Sequence, residues 1–217
     1  MKTRSSHNWN CKPGTYNYLN DEYLFESNLK LGMPEILKLP QIDPQTKDWQ
    51  PFHIHKVGDT KPVHFFIDDH YQNRFWKKPD FYISKLKTCQ AVSTPDFSPY
   101  WDYPEVLQMF NIYRSRYLTR LMQEKGLNVI PYINFNGENT FEYAFCGVPK
   151  GMIIAISTVG RCFSISLFSE LIDILEPTKI YCHGDKMHQE LTFMHPNVSF
   201  ILTHMQQKGL HKIKTEI

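Results

Sequence analysis

The chain is 217 residues long, with 41% hydrophobic, 14% aromatic and 21% charged side chains. Its 24 Lys and Arg against 22 Asp and Glu leave a net charge of +2, which fits neither an acidic solvating tail nor a broadly basic nucleic-acid coat. The longest apolar stretch, residues 152–156, is far short of the roughly 18 residues that span a bilayer, and no apolar h-region follows residues 1–5, so no membrane partner and no signal peptide are expected.

Residues 1–61 carry Pro13, Pro34, Pro40, Pro44 and Pro51 and little periodicity. They read as an N-terminal arm packed on a main domain at 62–217, since Trp9, Tyr16, Tyr18 and Phe25 are too apolar for a solvated tail. One short helix is expected over residues 21–31, stopped by Gly32. From Pro62 the pattern is regular. Strands are expected at 63–67, 91–93, 128–133, 152–156, 179–182 and 198–202. Helices are expected at 70–87 (broken near Pro79), 104–125, 141–145 and 164–175. Near-continuous apolar strands alternating with helices give an α/β fold, a mainly parallel sheet of about six strands with helices on its faces. An open doubly wound sheet and an incomplete β/α barrel both satisfy the pattern.

In such folds ligands bind at the carboxyl ends of the strands. Those ends read Asp68-Asp69, Thr94-Pro95-Asp96, Asn134, Ser157-Thr158-Val159-Gly160 and His183-Gly184-Asp185. The catalytic candidates are therefore Asp68, Asp69, Asp96, His183 and Asp185, and the binding candidates are Asn134, Ser157, Thr158, Gly160 and Gly184. On the helix at 104–125, residues Val106, Leu107, Phe110, Tyr113, Tyr117, Leu118 and Leu121 form an apolar stripe that includes Arg114, while Arg116 and Arg120 lie toward the polar side. Arg114 is thus expected to be buried and paired with Asp68 or Asp96, as a binding residue near the rim. Ser157 to Gly160 before a helix resembles a generic phosphate cradle. Neither Gly-x-Gly-x-x-Gly nor a P-loop occurs.

The cysteines, Cys11, Cys89, Cys146, Cys162 and Cys182, are odd in number with no Cys-x-x-Cys pair, which reads as reduced thiols in the cytoplasm. His53-Ile54-His55 offers another metal pair, as in rolling-circle replication endonucleases, with Tyr82, Tyr113 or Tyr117 as nucleophile.

Together, Val63-His64-Phe65-Phe66-Ile67-Asp68-Asp69, Thr94-Pro95-Asp96-Phe97-Ser98, Asn111-Ile112-Tyr113-Arg114-Ser115-Arg116, Val129-Ile130-Pro131, Gly147-Val148-Pro149-Lys150 and Ser157-Thr158-Val159-Gly160 resemble a family of domains of unknown function carried by bacteria, prophages and phages. After Gly160 the chain departs from that pattern, the next helix arriving early. The resemblance implies a mobile-element setting, in the cytoplasm of a bacterial or phage-infected cell, and brings no reaction with it. The rim itself suits a metal-dependent phosphoesterase or nuclease-like hydrolase acting on nucleic acid or a nucleotide. Asp68 and Asp96 would hold a divalent metal (Mg or Mn), and His183 would serve as acid or base. Two alternatives stand beside it. One is a single-stranded nucleic-acid-binding module using Trp76, Phe97, Tyr100, Trp101 and Tyr103 with Arg74, Lys77 and Lys78. The other is a host-interaction module without catalysis. The oligomeric state is left open.

Overall fold

The computed structural model describes residues 2–3, 23–29, 31–52, 60–159, 164–184 and 188–205. Its elements in chain order are β1 (Lys2–Thr3), β2 (Tyr23–Leu24), β3 (Asp48–Pro51), β4 (Val63–His64), α1 (Asp69–Lys77), α2 (Pro79–Leu86), β5 (Val92–Ser93), α3 (Glu105–Glu124), β6 (Val129–Ile130), α4 (Phe141–Ala144), β7 (Ile153–Ser157), α5 (Ile165–Leu175), β8 (Lys179–His183), α6 (His188–Met194), β9 (Ser199–Leu202) and β10 (His204–Met205).

The strands from β3 onward are all parallel. β10, β3, β4, β5 and β6 are successive neighbours, as are β7, β8 and β9. The two sets join where Tyr132 bridges Ala155, with Ala155 N–H donating to Pro131 O and Ile133 N–H to Ala155 O. Only Thr203 separates β9 from β10, so the pairing runs round a ring. Of the two forms the sequence permits, the chain takes the barrel. It contains a strand that the sequence pattern does not announce: β3, from residues 48–51 of the Pro-rich segment. The expected helix at 21–31 is absent from the described residues there, because Tyr23–Leu24 pairs antiparallel with Lys2–Thr3 and 25–28 is irregular.

Period-two alternation sorts the side chains. Ile154 and Ile156 of β7 and Ile180 and Cys182 of β8 face outward into a cluster under α5, while Ala155 and Tyr181 face inward. Val63 and Phe65 likewise pack outward against α1, α2 and α3. The inner surface is small and aromatic: Trp49, Ala91, Ile130, Tyr132, Ala155 and Tyr181, with Phe66 against them.

The Pro-rich segment at 33–46 seals the amino-terminal end. Asp43 takes hydrogen bonds from Lys179 and Tyr181 and forms an ion pair with the former. Burial pushes the Asp43 carboxyl up, but those two bonds, the Gln45 N–H and the lysine charge outweigh it, so its pKa is lowered. Gln41 does the work of a ladder at the weak β6–β7 seam. Its Nε2 donates to Val129 O at 3.2 Å and Ile153 O at 2.9 Å, and its Oε1 accepts from Ile153 N at 2.7 Å. Gln41→Ala should therefore lower stability by about 2–4 kcal/mol, since buried backbone groups lose their partners. Urea unfolding would show it as a lower midpoint at unchanged slope. A drop under about 0.5 kcal/mol would mean that the Tyr132–Ala155 bridge holds the seam alone.

Candidate functional site

The carboxyl-end mouth of the ring gathers residues from opposite strands. His64 on β4 lies with its ring centroid 6.4 Å from that of His183 on β8, the planes 16° apart. Phe66 stacks on both, at 5.4 Å from His64 and 4.6 Å from His183, and meets Tyr132 edge-on at 5.0 Å. His64 is 2% exposed and His183 8%. Alternation puts them there: Val63 and Phe65 face the helices, so His64 and Phe66 must face the ring.

Both imidazoles are neutral at pH 7. Burial, and then the neighbouring His183, pulls the His64 pKa down to about 3, and burial pulls His183 down to about 4. Phe66 N–H donates to His64 Nδ1 at 3.3 Å, so the neutral ring carries its proton on Nε2. Neither His64 Nε2 nor His183 Nδ1 has a hydrogen-bond partner among the described residues.

The end of β8 is held against β7 by a close approach. Thr158 N–H donates to His183 O at 2.8 Å. Gly184, at φ +93°, leaves room there, since a Cβ would come within 2.6 Å of Thr158 Oγ1. Ser157 and Thr158 are buried beside it, and Ser157 Oγ accepts from Val159 N–H at 3.3 Å.

A second polar group sits outside the ring, where the β4 and β5 loops meet α3. Asp69 Oδ2 accepts from Ser98 N–H at 3.3 Å, and burial raises its carboxyl pKa despite bonds from Ser98 and Tyr100 and the charge of Arg114. Arg114, expected to be buried, is half-buried, and its partners differ from those expected. NH1 donates to Asn73 Oδ1 at 2.9 Å, NH2 donates to Asn111 Oδ1, and the guanidinium lies 3.8 Å from the Phe97 ring centroid. Its acidic neighbour is Asp69, not Asp68 or Asp96; burial lowers the guanidinium pKa to about 10, and the Asp69 charge resists that. Asp96 Oδ1 accepts instead from Asn134 Nδ2 at 2.6 Å, and Asp68 is exposed.

Arg116, expected on the polar side, is 5% exposed, while Val106 and Leu107 of the supposed stripe are 68% and 45% exposed. Trp76 and Phe97, offered as base-stacking rings, are core residues at 3% and 0% exposure. Tyr100, Trp101 and Tyr103 are on the surface, and so are Arg74, Lys77 and Lys78.

No group of three His, Cys, Asp or Glu side chains able to hold a metal forms among the described residues, so Asp68 and Asp96 are not gathered into one there. Gly160, Asp185, His53 and His55 lie outside the described residues. His64 and Phe66 at the mouth, and Trp49 and Tyr132 one inward layer below, are the residues that strand-end reasoning passes over. The signal for His64 is in the sequence: a polar residue at the inward phase of an apolar run. No described helix is long and apolar enough to cross a membrane.

No solved structure matches the chain. It is 31% identical to the Gene 1 protein of Mycobacterium phage L5 over 196 residues, which are 86% of this chain and 85% of that protein. It is 30% identical to the Gene 1 protein of Mycobacterium phage D29 over 191 residues, 84% of this chain and 71% of that one. A family model described as a domain of unknown function (DUF4417) matches residues 25–199. That match spans the strands from β3 to β8, the mouth histidines and the Asp69–Arg114 rim, and the chain belongs to this phage-associated family.

Proposed function

We propose that the chain acts on a phosphate ester, of a nucleotide or a nucleic acid, at the carboxyl-end mouth of the barrel. The observation that carries the reading is the pair of neutral imidazoles there. An uncharged imidazole can accept a proton at pH 7, a phosphate anion beside it would raise its basicity from the low value that burial sets, and His183 is the more accessible of the two. His183 would take the proton of the attacking water or hydroxyl. The position supports it too, since parallel barrels place their chemistry at this end.

The test is turnover by the full chain of AMP, cyclic AMP, bis(p-nitrophenyl) phosphate and single-stranded oligonucleotides, each with and without added Mg or Mn. His183→Asn should lower kcat/KM by about a hundredfold or more with only a small change in melting temperature. The reading is overturned if the wild-type chain turns over none of these, or if the variant matches it. One observation favours a second reading, binding of single strands without catalysis: Trp101 is 82% exposed beside Tyr100 and Tyr103. Salt-dependent oligonucleotide binding that Trp101→Ala abolishes, with no turnover, would select it.

A further inference from the structure

We infer that the layer of the barrel holding His64 and His183 is an oxyanion pocket, and that it takes a terminal phosphate, presented as a monoester, rather than the internal phosphodiester of a strand. The inference rests on the mouth being the working site and narrows what enters it.

Polar nitrogens are buried here without hydrogen-bond partners among the described residues. Trp49 Nε1, His64 Nε2 and His183 Nδ1 are three of them. Trp49 is 3% exposed. The three share one stretch of the inner surface. Trp49 lies 5.0 Å from Tyr181, which is the inward residue just before His183 on β8. On β3, Trp49 is the inward residue just before Pro51, which pairs with His64. An indole nitrogen can only donate, and His64 Nε2 carries the proton because Nδ1 already accepts from Phe66 N–H. Two donors and a third ring nitrogen therefore belong to side chains on neighbouring inward positions of the ring. Buried donors left without acceptors are rare in native proteins and mark sites for a ligand or ion.

The acceptors on the same inner surface are already in use. Asp43 is committed to Lys179 and Tyr181 at the floor, and the Tyr181 hydroxyl also accepts from Gln45 N–H. Ser93 Oγ accepts from Phe65 N–H, and Ser157 Oγ accepts from Val159 N–H. What Trp49 Nε1 and His64 Nε2 lack is an acceptor with several oxygens, and a phosphate supplies it, leaving the His183 ring nitrogen to accept a proton. A ring of strands surrounds these side chains, so a group that reaches them must be the end of a molecule. A phosphodiester inside a strand would have to lead both chain directions out through one mouth.

The experiment is an NMR titration of the wild-type chain, following the Trp49 indole ¹⁵N–¹H resonance, with inorganic phosphate, ribose 5-phosphate, AMP, a dinucleotide and acetate added separately. Phosphate and both monoesters should shift it in a saturable way, and the dinucleotide and acetate should not. Trp49→Phe and His64→Phe should each weaken AMP affinity about tenfold or more. The wild-type titration stands by itself if either variant fails to fold. An indole that no phosphate compound moves overturns the inference, as does equal binding of dinucleotide or acetate. Failure here and failure of the proposed function are distinguishable. Ester turnover with an unresponsive indole removes the pocket and keeps the reaction, whereas monoester binding without turnover keeps the pocket and removes the reaction.

Discussion

Lowering the pH from 7 to 4.5 should destabilise this protein by about 2–3 kcal/mol through His64 and a similar or smaller amount through His183, together a large share of the whole stability of such a domain. The sign follows from the direction of the two shifts. Both imidazoles have folded-state pKa values below the 6.5 of an unfolded histidine, about 3 and about 4. As the pH falls through 6.5 the unfolded chain takes up protons at these positions and the folded chain does not. The loss grows until the pH reaches the folded values and then levels off. Asp43 adds to the loss at lower pH, because its carboxyl is held below its usual value. Asp69 acts against it, because burial raises its carboxyl. Urea unfolding of wild type and His64→Phe at several pH values isolates one contribution. The variant keeps a ring and cannot titrate, so its stability should fall less steeply below pH 6.5. Parallel profiles would show that His64 is solvated, and the mouth would lose its defining property.

The barrel was half legible in the sequence, and the reasons are local. Apolar runs at 152–156 and 179–182 announce β7 and β8 because both of their faces are covered, outward by α5 and inward by the ring core. β3 gave no such signal. Asp48-Trp49-Gln50-Pro51 is polar and carries a proline, and it pairs as a strand because β4 and β10 receive it on either side. Ring closure could not be read, since it depends on two residues, His204 and Met205, pairing with β3. Of the site, His183, Ser157, Thr158 and Gly184 follow from the strand-end rule, and the structure brings them together. His64 and Trp49 do not follow from it, because they lie inside strands rather than after them.

Helix α3 misled for a different reason: its buried row is polar. Gln108, Asn111, Ser115, Thr119 and Gln123 recur every three or four residues and face the barrel. Gln108 donates to Tyr103 O and Asn111 to Ser98 O. Ser115 Oγ accepts from Phe97 N–H, and Thr119 Oγ1 meets Thr94 Oγ1 at 2.8 Å. Gln123 both donates to Leu37 O and accepts from Leu37 N–H. A helix that holds loops through their backbone needs amides and hydroxyls where an apolar count looks for leucines. That row turns the helix so that Arg116, and not Arg114, goes into the protein.

Arg116 is accordingly where the largest loss of stability among the charged residues of α3 is expected. Its NH1 donates to Cys146 O at 2.8 Å and its NH2 to Ala144 O at 2.7 Å. These carbonyls lie at the end of α4 and in the turn after it, and the guanidinium is their tie to α3. Burial lowers the Arg116 pKa to about 10, which leaves the group charged at pH 7. Replacement by Met removes a desolvated cation, which offsets part of the loss, but strands both carbonyls in a buried place. The net cost should be about 2–4 kcal/mol, a fall in melting temperature of about 4–16 °C for a chain of this length. Arg120 is the internal control, one turn further along the same helix. Its ion pair with Glu124 is the partly exposed i,i+4 kind, and it also donates to Glu35 O. Arg120→Ala should therefore cost about 1 kcal/mol or less. Calorimetry of the two variants decides the matter: if Arg116→Met melts with the wild type while Arg120→Ala melts lower, α3 is turned the way its apolar residues suggest, and the polar row does not set its phase.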